Sequence, residues 1–129
     1  MKKAGVLTLC GVVAAMLVGF VGTVDARPDY KKVQDEKYKD SSIAEALAEA
    51  KCNACHYGKK KSDRNDYGKA LIKAGLTEEN YKEKKADKEA FAKEIAEALE
   101  KVLEEKNEAG ETFGDRIKAG KLPGTNPEE

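Results

Sequence analysis

The sequence predicts an all-α domain. Three observations carry that expectation. Apolar residues recur at helical spacing, most plainly Phe91, Ile95, Ala98 and Val102. Residues that start helices stand ahead of such runs, at Ser42, Thr77, Asp87 and Thr112. No β-branched or alternating run of the strand type precedes Cys52.

The elements follow in order. Residues Arg27 to Asp40, with Pro28 and mixed charges, read as an extended or poorly ordered lead-in, so 27–41 is set apart from a domain spanning 42–123. Ser42 forms a capping box with Glu45, and Ile43, Leu47, Ala50 and Ala54 share one helical face that runs down to Cys52–His56. Gly58, the lysines 59–61, Asp63, Asn65 and Asp66 make a polar loop. A short helix spans about Tyr67 to Ala74 and stops at Gly75, and Thr77 with Glu78 and Glu79 starts a further turn. Asp87 caps the longest helix, which runs to about Lys106 with Lys and Glu opposite its apolar stripe. Thr112, with Asp115 three residues on, opens a last turn or two ending at Gly120; Pro123 forbids continuation and 124–129 is a tail. Tyr67-Gly68 and Phe113-Gly114 each open a short helix, with Leu71 or Ile117 four residues on. That is an internal echo, or simply an aromatic and a branched residue anchoring any short helix.

The first 26 residues read as an export signal. Met1, Lys2 and Lys3 are a positive start, Gly5 to Gly22 an apolar run, and Val24-Asp25-Ala26 a small-residue cleavage site before Arg27. The apolar run approaches bilayer-spanning length, so an uncleaved membrane anchor is the alternative. Cys10 lacks the small residue expected just before a lipidated cysteine and reads as apolar filler. In both cases the remainder is exported, to a periplasmic or other extracytoplasmic space.

Residues 27–129 number 103, enough for one small domain. They carry 22 basic and 23 acidic side chains, with no field of one sign to favour nucleic acid. Their large apolar residues are 14 Val, Ile, Leu and Phe, plus five tyrosines. So thin an inventory leads us to expect a bound group as a large part of the core, and a largely unfolded chain without it.

Cys52, Asn53, Ala54, Cys55 and His56 name that group. C-x-x-C-H is the attachment signature of a c-type haem: two thiols close enough to form thioethers with the two vinyl groups of one porphyrin, and an adjoining imidazole to bind iron. His56 is the expected proximal ligand, its other ring nitrogen held by a carbonyl or carboxylate. A structural zinc site needs four ligands, and beyond Cys10 the chain has two cysteines and one histidine. A thioredoxin-type dithiol follows a strand, which is lacking here. A disulfide across so short a loop is strained and leaves His56 without a role.

A helix delivering C-N-A-C-H, short intermediate helices and a long amphipathic helix together resemble the small monohaem cytochrome c family, over most of residues 42 to 107. The resemblance implies a terminal helix crossing the first, haem c attached at Cys52 and Cys55 with His56 as axial ligand, and transient docking to a redox partner protein. The segment after Lys106 departs from that plan, and so does the absence of a distal methionine. Met1 and Met16 both lie in the export segment, and there is no second histidine. Three sources of a sixth ligand remain: a vacant or water-filled position, an unusual ligand such as a lysine, Asn65 or a tyrosine, or a group from another protein. The reading favours a weak or exchangeable ligand, with a lower reduction potential than a His/Met centre.

Two functions follow as expectations. The first is single-electron transfer without catalysis. The second is a haem with an open sixth position that binds small gases or reacts with peroxide, although no spare histidine supplies a distal acid–base group. No Ser-His-Asp set, phosphate loop or paired-carboxylate signature is present. Tyr67 is the ring best placed to meet a haem. The lysines 59–61 read as a solvated loop, or as a patch that steers an acidic partner.

Overall fold

The computed structural model describes residues 27–60 and 62–127. They form six helices: α1 (Pro28–Tyr38), α2 (Ala44–Ala50), α3 (Asp66–Lys73), α4 (Glu78–Lys84), α5 (Lys88–Lys101) and α6 (Phe113–Lys118). Two 3-10 turns, Lys51–Ala54 and Val102–Glu104, continue α2 and α5. The only extended pairings among the described residues are isolated antiparallel bridges, His56 with Arg64 and Lys106 with Thr112. The all-α expectation therefore holds. The export segment lies outside the described residues, among which no helix is long and apolar enough to cross a membrane.

The lead-in is the main correction. Residues expected to be extended or poorly ordered form α1, with Pro28 in its first turn, and α1 packs chiefly on α5. Its inward stripe is Tyr30, Val33, Gln34 and Tyr38, one aliphatic among polar and aromatic residues, which is why periodicity in aliphatic residues missed it. Tyr30 meets Phe91 at 5.7 Å and Tyr81 at 5.9 Å between ring centroids, and Lys37 reaches Glu100 at 2.6 Å.

Two apolar clusters fill the interior. One gathers Tyr67, Leu71, Leu76, Phe91, Ile95, Leu99, Val102 and Phe113; the other gathers Tyr38, Ile43, Leu47, Ala54 and Ile117. The predicted stripe of α5 is buried throughout. Both clusters are built from side chains of the described residues. Tyrosine rings and alanines supply the volume that the short aliphatic inventory lacks.

Three predicted caps are present: Thr77 accepts from the Asn80 N–H, Asp87 from Ala90 and Thr112 from Asp115. The Ser42 capping box does not form. Ile43 occupies the N-cap of α2, and the Ser42 hydroxyl instead donates to the Ile117 carbonyl at 3.2 Å, tying α2 to α6.

Candidate functional site

The Cys52–His56 segment does not close a regular helix. α2 ends at Ala50, and Lys51 takes a positive φ of 52°, which swings the chain into the 3-10 turn that carries Cys52. A non-glycine residue adopts that region at a cost of about 1–3 kcal/mol, so the kink is held by its surroundings. The turn closes on itself, the Cys52 carbonyl accepting from the N–H groups of Cys55 and His56 at 3.3 and 3.1 Å.

The loop after it folds back. His56 bridges Arg64, and the Tyr57 N–H donates to the Asp63 carbonyl at 3.3 Å. The same carbonyl lies 3.2 Å from His56 Nδ1. A carbonyl only accepts, so Nδ1 carries the proton and the ring lone pair falls on Nε2, the atom a metal would take. This is the second partner expected of a ligating histidine, supplied by backbone seven residues on.

Cys52 and Cys55 are both half-buried and are not joined to each other. Cys55 touches both apolar clusters and so stands at their junction. Burial pushes its thiol up to about 12, with Cys52 adding to the effect. A redox dithiol needs a lowered pKa, so this environment opposes that reading. Among the described residues there is no group of three or more His, Cys, Asp or Glu that could hold a metal. Two thiols on one turn beside an imidazole of fixed tautomer are the donor set that covalent haem attachment requires, and the residues present fit it.

α3 is pressed onto this turn. A Cβ on Gly68 would lie 2.4 Å from the Cys55 carbonyl oxygen, so only glycine allows the approach. Asn65 caps α3, accepting from the Gly68 N–H at 2.9 Å, while its Nδ2 donates to the Ala54 carbonyl at 3.1 Å. Both ends of the carboxamide are thereby hydrogen-bonded, so a role as sixth ligand would draw Asn65 away from the cap and the turn. As a cap it was legible, since it precedes an Asp-Tyr helix start; as a support of the cysteine turn it was not.

Tyr67 is buried, its ring 5.2 Å from that of Phe113. Its hydroxyl faces Tyr38 and Gln34, yet Tyr67 OH, Tyr38 OH and Gln34 Nε2 complete no well-formed hydrogen bond. Burial raises the phenol of Tyr38 to about 12, and that of Tyr67 is also raised by burial, so both stay protonated. Lys59 and Lys60 are exposed, whereas Lys61 lies outside the described residues. An open cleft of about 230 Å³ between α3 and the second bridged loop, lined by Asp66, Lys69, Ala70, Glu105 and Phe113 among others, does not reach the cysteines.

The boundary expected at 123/124 falls inside a contact. Asp66 accepts from the Thr125 N–H and hydroxyl, each at 2.6 Å, and from the Glu108 N–H at 3.0 Å. Burial pushes the Asp66 carboxyl up, but these bonds and one from the Tyr67 N–H outweigh it and hold the pKa below the usual carboxylate value. No protein-family model, curated protein or solved structure matches the chain.

Proposed function

We propose that this chain is an exported c-type haem protein that holds one haem c through Cys52 and Cys55, with His56 as proximal ligand, and passes single electrons to and from a transient redox partner. One observation carries the reading: the only histidine stands directly after the second of two half-buried thiols, with its Nδ1 at a backbone carbonyl. When bound, haem supplies a one-electron ferric–ferrous couple. The chain's own part is to fix the imidazole tautomer through Asp63, to support the turn through α3, and to keep the inner thiol away from water until it is alkylated. The resemblance to small monohaem cytochromes c supports this function at the level of the motif.

A second reading rests on the sequence. No methionine follows Met16, no second histidine exists, and the Asn65 carboxamide is occupied, so a haem here lacks an obvious strong sixth ligand. That favours binding of small gases at an open position. Absorption spectra of the purified protein, ferric and ferrous, with and without carbon monoxide, decide between them. A low-spin ferrous spectrum unmoved by CO supports the electron carrier, and rapid CO binding with high-spin features supports the open site. Absence of any Soret band refutes both.

A further inference from the structure

We propose that Asn65 is the positioning residue of the Cys52–His56 turn and that the C-terminal strap Pro123–Thr125 locks it in place. The inference rests on the haem reading for its function, and its geometry stands on the fold. Asn65 is 2% exposed. Its side chain holds the Ala54 carbonyl and its backbone N–H donates to the Cys55 carbonyl at 3.0 Å, so one residue fixes two consecutive carbonyls of the turn. Those two peptides set the directions in which Cys55 and His56 project.

A helix cap needs only an acceptor, and the hydroxyl of Thr112 meets that need for α6. The donor half of the Asn65 carboxamide does nothing for α3. It serves the turn alone, and Asn offers an acceptor and a donor on one short rigid group.

The strap lies directly on that carboxamide. A Cβ on Gly124 would sit 2.5 Å from Asn65 Nδ2, so the backbone there passes at the closest approach a glycine permits. It is pinned on both sides, Arg116 Nε donating to the Leu122 carbonyl at 2.8 Å and Asp66 binding Thr125. Pro123 is buried beside it. The strap thus excludes water that would compete for the Ala54 carbonyl.

The test compares ferric electron paramagnetic resonance spectra of the full haem-bearing chain in the wild type, Asn65→Asp, Gly124→Ala and Thr112→Ala, with far-ultraviolet circular dichroism as the check on folding. Asn65→Asp keeps the cap acceptor and loses the donor, and Gly124→Ala displaces the whole carboxamide from the strap side while leaving Asn65 and every residue of the motif in place. Both are expected to shift the g-values or split them into more than one set, while Thr112→Ala, which removes the matching cap, leaves them unchanged. Wild-type spectra from Asn65→Asp and Gly124→Ala, or an equal change in all three variants, overturn the proposal. If Asn65→Asp fails to fold, Gly124→Ala against Thr112→Ala decides. A wild type without haem refutes the proposed function instead. The same comparison is then read from Cys55 alkylation, expected to be about tenfold faster in Asn65→Asp and Gly124→Ala on the scale of one lost buried hydrogen bond, with equal rates overturning the proposal.

Discussion

Residues 51–75 and 102–120 are built alike. Each begins with a 3-10 turn that extends a helix, continues into a loop closed by one antiparallel bridge, and ends in a short helix with an aromatic-glycine pair in its first turn. The backbone bonds correspond: Asn65 N–H to the Cys55 carbonyl at 3.0 Å in the first, Phe113 N–H to the Glu105 carbonyl at 2.9 Å in the second. Both short helices close at a glycine with positive φ, Gly75 and Gly120, and the two aromatic rings pack edge to face. The echo in the sequence is therefore an echo in structure. By the turn bonds and the bridges, Val102 stands where the first unit has Cys52, Glu105 where it has Cys55 and Lys106 where it has His56. The second turn and bridge close without cysteine or histidine. Turn geometry alone therefore does not call for Cys52, Cys55 and His56, which supports their proposed role in haem attachment.

Removing that chemistry should make the first unit resemble the second. Cys52→Ala with Cys55→Ala is expected to abolish covalent haem completely, read as loss of the Soret band and of the haem mass. Covalent haem surviving in that variant would contradict the assignment of the two thiols.

The two aromatic-glycine helices differ in how tightly they sit. Gly68 would place a Cβ 2.4 Å from backbone, Gly114 one at 3.0 Å from the Leu103 carbonyl. Gly68→Ala should destabilise by about 2–3 kcal/mol in denaturant melts, an overpacking cost. Gly114→Ala should fall within about 1 kcal/mol of wild type, since the gain in helix propensity offsets the tight contact. Equal effects would erase the difference.

Only the first unit carries the Asp66 clamp. Its carboxyl pKa is depressed in the folded chain, so its contribution is present in full above the unfolded value of about 3.9 and is lost as pH falls through the lower folded value. The difference in thermal midpoint between wild type and Asp66→Asn should therefore be constant from pH 7 to about 5 and shrink below about 4. A difference that grows on acidification would contradict the clamp.

The smallest effect concerns the way into each turn. Lys51 has a φ of 52°, whereas Lys101, at the same place in the second unit, is helical at −59°. Lys51→Gly should stabilise by about 1 kcal/mol by releasing strain, and Lys101→Gly should destabilise by about the same amount. Chemical melts of the two variants give the signs.

Much of this was legible in the chain. The caps at Thr77, Asp87 and Thr112 and the α5 stripe follow from local rules, because a short polar cap and a 3.6-residue period act within one element. α1 was not legible, since its inward face is Tyr, Val, Gln and Tyr and acquires meaning only against Phe91 and Tyr81. The cysteines and histidine announced themselves by spacing. Their support did not, because the roles of Gly68, Asn65 and Gly124 are contacts across 13, 11 and 59 positions that no local pattern encodes.

The central claim is that one haem is bonded to Cys52 and Cys55. Intact mass of the exported chain, purified from a host that performs haem attachment and then treated with a thiol alkylator, tests it most directly. The account predicts a mass increased by one haem, with neither cysteine alkylated. A polypeptide that lacks porphyrin mass and carries alkylated Cys52 and Cys55 would contradict it.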